Sequence, residues 1–195
     1  MLILASRSPR RAALLEQVGI PFQAASSEVD EAVDPGEGPA DHVRRLALAK
    51  AHAVRTQYPD AAIIGSDTAV VLDRQIFGKP ADREAAIDTL MALSGRTHEV
   101  LTGVALIAPG REDRFALSIS QVTFRELTTG QAAAYWAVGE AADKAGSYAI
   151  QGLGAAFVQH IEGSYSGIMG LPIFETLALL RDVGIHCPIE HGDAV

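Results

Sequence analysis

One cysteine, Cys187, stands in the whole 195-residue sequence. An intrachain disulfide is therefore excluded, and the composition suits a reducing compartment such as the cytoplasm. Long apolar runs are missing too: nothing approaches the roughly 20 residues of a spanning helix, so no membrane partner is expected. The opening Met-Leu-Ile-Leu-Ala-Ser has no basic residue ahead of its short apolar stretch, unlike a secretory signal. Cations are in the minority, 16 Lys and Arg against 24 Asp and Glu, for a net charge of -8. Aromatics make up only 6% and form no stacking cluster. Nucleic-acid binding rests on many cationic contacts and, for single strands, on stacking, so no nucleic-acid partner is expected. A small phosphate ligand needs only a few local cations and stays open.

Repeats, low-complexity tracts and long Gly/Ser/Pro linkers are also lacking, which points to a single domain over residues 1–195. What is present reads as interleaved helices and strands. Leu2–Ala5 is a short buried strand. Ser8 then looks like an N-cap with Pro9 at the first helical position, and Gly19 ends that helix. An acidic loop, residues 28–34, precedes a second helix over about 39–58. Residues 61–64 form a strand that stops at Gly65-Ser66-Asp67, with 69–72 extending it. Asp82 caps a third helix that runs to Leu93. Strands near 97–107 and 114–125 pair around Pro109-Gly110. In the second, Phe115, Leu117 and Ile119 share one parity and Val122 and Phe124 the other, which predicts a bulge near Ser120-Gln121. Thr128 and Gln131 form a capping box for a helix ending at Gly139. A glycine-dense stretch leads to a strand at 155–161. Pro172 opens the last helix, Gly184 closes it, and the tail from His186 reads as loose. The class is α/β.

Chemistry concentrates at three places. Ser6-Arg7-Ser8-Pro9-Arg10-Arg11 lies between a strand and a helix N-terminus, whose free amides and dipole favour an anion. Ser6 can donate hydrogen bonds there, and Arg10 and Arg11 add forked cationic donors suited to phosphate oxygens. A solvated, capped surface helix is the alternative, although cations at a helix N-terminus oppose its dipole. Lys50 falls mid-stripe among the apolar positions 43, 46, 47 and 54 of the second helix. A snorkelling core-edge lysine and a ligand-facing one both fit that placement. Asp67 follows an apolar strand, near where ligands of open α/β sheets collect. With Glu28, Asp30 and Glu31 it supplies hard oxygen ligands of the kind Mg²⁺ takes; a turn-capping Asp and a solvated acidic loop remain the alternatives. Periodicity does not decide Lys79. The six histidines show no metal-ligand spacing.

Taken together, several stretches resemble the Maf family of nucleotide pyrophosphatases. They are Leu-Ala-Ser-Arg-Ser-Pro-Arg-Arg at 4–11, Glu-Val-Asp-Glu at 28–31 and Arg-Leu-Ala-x-x-Lys-Ala at 45–51. Gly-Ser-Asp-Thr at 65–68, Gly-Lys-Pro at 78–80 and Ser-Gly-Arg-Thr-His at 94–98 follow. Asp-Lys-Ala-Gly-Ser-Tyr-x-Ile-Gln-Gly at 143–152 and Gly-Leu-Pro at 170–172 complete the set. Each motif is weak alone; in this order they are highly specific. The resemblance implies a two-lobed mixed β-sheet with flanking helices and a central cleft, like that of the inosine triphosphate pyrophosphatases. It implies a homodimer that hydrolyses nucleoside triphosphates between the α and β phosphates with Mg²⁺ or Mn²⁺. Carried over by position, Ser6, Arg10, Arg11, Lys50 and Lys79 hold the triphosphate, and Glu31 and Asp67 bind the metal. Asp67 is the general base, and Gln151 helps read the base.

The 143–152 stretch resembles the branch acting on dTTP, UTP and modified pyrimidine nucleotides. Gly78 before Lys79 departs from the Glu of some members of that branch. The same reaction on 7-methyl-GTP is the alternative within enzymes. A non-catalytic, nucleotide-binding regulator of cell division is the alternative outside them.

Overall fold

Every residue of Leu2–Ala5 (β1) is buried, as a short strand covered on both faces must be. The computed structural model describes residues 1–191. Seven strands form one mixed sheet in the order β2-β1-β3-β5-β6-β7, with β4 also paired to β3. They are Gln23–Ala25 (β2), Ala62–Leu72 (β3), Gln75–Phe77 (β4), Thr97–Ile107 (β5), Arg114–Phe124 (β6) and Val158–Glu162 (β7). The β1–β2 and β1–β3 pairs are parallel and the rest antiparallel. The helices are Pro9–Gln17 (α1), Pro39–Ala53 (α2), Arg83–Leu93 (α3), Thr129–Val138 (α4), Tyr165–Met169 (α5) and Ile173–Arg181 (α6). None is long and apolar enough to cross a membrane among the described residues.

Two apolar clusters on one side of the sheet define the lobes. The first joins Leu2, Leu4 and Ile64 to Leu14 and Leu15 of α1 and Leu180 of α6. The second joins Leu90 and Leu93 of α3, Val122 and Phe124 of β6, and Tyr135 of α4. Helix α2 covers the opposite face, over Ile63 and Val71. It lies so close that a Cβ on Gly65 would meet the Ala47 carbonyl at 2.1 Å, and one on Gly103 the Val43 carbonyl at 2.8 Å. Glycine at both places is what lets the α2 backbone rest on β3 and β5.

β3 differs from its expected form. Gly65-Ser66-Asp67 does not end the strand, which runs unbroken through Leu72. The polar residues look like a turn because their partners are distant in sequence: Ser66 donates to the Gly170 carbonyl at 3.0 Å, and Asp67 accepts from Lys50. One edge of β3 pairs with β1 at 62–64 and with β4 at 70–72. Between them, residues 65–69 face a gap, and Asp67 sits at its middle. This gap is the floor of the cleft.

Other expectations shift for local reasons. The β5–β6 register runs without interruption past Ser120 and Gln121, and the irregularity lies against β7 between Thr123 and Phe124. Even-numbered side chains of β6 stay inward to its end, while α2 shelters only the start of the odd face and leaves Ile119 51% exposed. The apolar pattern records where that cover stops, not a change of parity. Helix α2 ends at Ala53, short of Tyr58, in a string of turns. The chain from 153 to 157 is a 3-10 turn, and β7 begins at Val158. Sequence periodicity misses β2 and α5, three and five residues long, because neither spans two full periods. The tail is not loose at first: Cys187 is buried and donates to the Val18 carbonyl at 3.0 Å, and Pro188–His191 forms a 3-10 turn. Residues 192–195 of the expected loose tail lie outside the described residues.

Candidate active site

A cleft of about 470 Å³ opens along the β3 gap, and Ser6, Arg10, Arg11, Glu31, Lys50, Asp67, Lys79 and Gln151 all line it. The carboxyl end of β1 delivers Ser6, and α1 begins at once with Pro9. No side chain caps that helix. Instead, Ser6 Oγ accepts from the Ser8 amide at 3.1 Å and from Arg11 at 3.3 Å, which leaves its own proton free to meet an anion. Arg11 is the more committed of the two arginines: it donates to the Gly170 carbonyl at 2.8 Å and to Thr68 Oγ1 at 3.4 Å. Burial lowers its pKa, and the charge of Asp67 works against that shift. Arg10 pairs with Asp143 at 3.7 Å across the mouth of the cleft.

The α2 packing described above carries Lys50 to the floor. Its ammonium stands 2.6 Å from Asp67 Oδ1 and 2.6 Å from Glu31 Oε1. Lys79 reaches the other oxygen of Glu31 at 2.8 Å. Lys50 is 6% exposed and Asp67 7%, so water screens that pair little, while Glu31 and Lys79 at its outer end are exposed. Burial opposes ionisation of Glu31, yet hydrogen bonds from Lys50 and Lys79 prevail and bring its carboxyl from 4.5 down to about 2. Two carboxylates that already share one cation fit a hard divalent ion, which takes one or two carboxylates and fills its shell with water and phosphate oxygens. Among the described residues, no group of three or more His, Cys, Asp or Glu forms a metal cage.

The acidic loop that presents Glu31 has no regular structure, and a strap on α2 holds it. Arg45 donates to Glu37 at 2.6 and 2.8 Å and to the Ala32 carbonyl, next to Glu31, at 2.8 Å. His42 Nδ1 lies 2.9 Å from the same Glu37 carboxylate, whose side chain is only 8% exposed. In the sequence Arg45 stands only as the first residue of the 45–51 motif, and Glu37, just past the acidic loop, carries no local mark. Hydrogen bonding from Arg45, above all, lowers the Glu37 carboxyl from 4.5 to about 2. A depressed carboxyl contributes stability above its ordinary range and loses it as pH falls through the folded value. Glu37→Gln should therefore melt several degrees below the wild type at pH 7. The gap should close as pH falls from about 4.5 toward 2; a pH-independent difference in thermal scans would contradict this.

The far wall is the 143–151 segment. Tyr148 Oη lies 2.9 Å from His98 Nε2 in the core, where burial drives the histidine down to about 4 and keeps it neutral. Gln151 is exposed at the rim. Thr68 and Gly170 belong to the quoted motifs without an expected role, and both prove to be hubs. The Gly170 carbonyl takes bonds from Arg11 and Ser66. Thr102 stands 3.0 Å from Thr68 Oγ1 and donates to the Gly167 carbonyl at 2.8 Å.

A family model described as Maf-like protein matches residues 1–183. A dTTP/UTP pyrophosphatase of Xanthomonas oryzae pv. oryzae is 51% identical over 190 residues, 95% of this chain and 100% of that relative. A protein of the same description from Methylococcus capsulatus is 52% identical over 185 residues, covering 94% and 91%. Overlap with solved structures is partial. A nucleoside-triphosphatase, dITP/XTP pyrophosphatase, from Mycobacterium abscessus gives a TM-score of 0.42 at 19% identity over 65% of this chain and 74% of that one. The Staphylococcus aureus Ham1 protein gives 0.47 at 13% over 63% and 71%.

Proposed function

The chain belongs to the Maf-like protein family, and from that premise we propose that it hydrolyses dTTP, UTP and modified pyrimidine nucleotides to the monophosphate and pyrophosphate. The observation that carries the reading is local. In a protein of net charge -8, Arg10, Arg11, Lys50 and Lys79 gather around a buried Asp67 at the stretch of the β3 edge left between its β1 and β4 pairings. Cations so placed hold a triphosphate and offset the charge that builds on departing pyrophosphate. Asp67 accepts a proton from the attacking water, whose oxygen bonds to the α-phosphorus as the bond to the β-phosphate oxygen breaks. No covalent intermediate with the protein is needed. Glu31 and Asp67 would hold Mg²⁺ or Mn²⁺, which supplies Lewis-acid stabilisation of phosphate charge when bound.

Pyrimidine choice rests on the Gln151 segment and on the shared description of relatives near 50% identity. The same reading makes the protein a cytoplasmic homodimer whose partner is a small nucleotide, in keeping with its single, buried cysteine.

The test is a hydrolysis panel of dTTP, UTP, CTP, 7-methyl-GTP, ATP and GTP with Mg²⁺ or Mn²⁺, resolving pyrophosphate from orthophosphate. Pyrophosphate from dTTP and UTP is the expected result. Release chiefly from 7-methyl-GTP would keep the chemistry and overturn the substrate. No release from any nucleotide by folded, metal-supplied protein would favour the regulator.

A further inference from the structure

We propose that Tyr135 and Glu140 are positioning residues that set nucleotide selectivity by fixing the backbone on both sides of Gln151. This rests on the functional reading above and deepens it. The segment from Tyr148 to Gly152 has little regular structure, and Gln151 stands at its exposed rim. An amide that must discriminate between base edges needs a fixed backbone, because misplacement by about 1 Å weakens a directional contact severely.

The fixing comes from the end of α4. Tyr135 Oη accepts from the Ala149 amide at 3.0 Å and donates to Glu140 Oε2 at 3.0 Å. The other oxygen, Oε1, accepts from the Leu153 amide at 3.1 Å. Gln151 thus lies midway between two amides tied to one side-chain pair. The fit is close: a Cβ on Gly152 would fall 2.5 Å from the Glu140 carboxylate, and one on Gly154 would fall 2.8 Å from Tyr135 Oη. The base of the device is rigid. A capping box opens α4, a left-handed Gly139 closes it, and the Tyr135 ring packs edge-on against Phe157 at 5.0 Å. The groups keep the required protonation. The Leu153 amide bond leads the causes that lower the Glu140 pKa, and burial raises that of Tyr135, which remains a donor. Neither residue is among those lining the cleft, so both act through Gln151.

Tyr135→Phe keeps the ring and its packing and removes only the bridging hydroxyl. Expected is a rise of about tenfold in KM for dTTP and UTP, kcat changed by less than about twofold, and a narrowing of about tenfold in the preference for dTTP over CTP and GTP. Glu140→Gln should move in the same direction. Merely structural damage would reduce the active fraction for every nucleotide alike and leave preference untouched. That result, or a wild-type KM and preference in Tyr135→Phe, overturns the proposal. A wild-type protein that releases no pyrophosphate would instead remove the functional reading, and this proposal with it.

Discussion

Asp67→Asn is expected to lower kcat by about 10³-fold, the scale of a lost general base, while KM stays within about threefold. Asparagine has nearly the same shape and still offers Oδ1 to the Lys50 ammonium, which lies 2.6 Å away in the native protein. What it lacks is the capacity to take a proton from water and half of the negative charge facing that ammonium. Glu31, also 2.6 Å from Lys50, keeps the cation paired, so the variant should fold. Three measurements separate the possibilities: pyrophosphate release, calorimetric binding of dTTP and thermal melting. A variant that binds and melts like the wild type but barely turns over fits the role. Turnover within tenfold of wild type would remove Asp67 from the proton transfer.

Lys50→Met should be the most damaging change to the protein without metal. Methionine fills similar volume on the apolar stripe of α2, yet leaves Asp67 without its ammonium and Glu31 with Lys79 alone. Loss of one partner from a buried ion pair costs about 3 kcal/mol or more, because the surviving charge stays desolvated. Turnover should also fall by about 10² to 10³-fold, the cost of one missing donor to developing phosphate charge. A distinctive signature follows. Two under-compensated carboxylates should make Mn²⁺ raise the melting temperature of Lys50→Met more than that of the wild type, since a ligand of the folded state stabilises it by mass action. Melting like wild type in chelator, with no added metal effect, would mean that the ammonium carries little of this charge balance.

Local signals are legible where the chain answers to its neighbours in sequence. The Thr128–Gln131 box, the Asp82 cap and the proline opening of α1 are all present as expected. Lys50 was conspicuous because a cation interrupted an apolar stripe, and the structure buries it on that stripe beside Leu46 and Ala47. Elsewhere the signal was lost to distance. Arg11 meets a carbonyl 159 residues away, and no periodicity encodes that contact. Asp67 reads as following a strand because buried polar residues imitate a turn until their partners are known. The Glu37–Arg45 pairing is unreadable for the same reason: it lies in a fold-back of the chain before α2 onto that helix. Motifs gather the site residues, while the struts behind them, Tyr135, Glu140 and the Glu37–Arg45 pair, show their role only in three dimensions.

β3, β5 and β6 each run for 11 residues, passing from one lobe into the other beneath the cleft. Their ladder is continuous from Ile63↔Ile107 to Val71↔Glu99 and from Leu106↔Arg114 to Thr97↔Thr123. The two walls therefore share one woven keel. Swinging one wall toward the other would shear a run of backbone hydrogen bonds in several strands at once, where a two-domain enzyme need only bend a linker. The keel keeps Asp67 at a fixed depth whatever nucleotide arrives, and adjustment falls to the exposed side chains that overhang it, Glu31, Lys79 and Gln151.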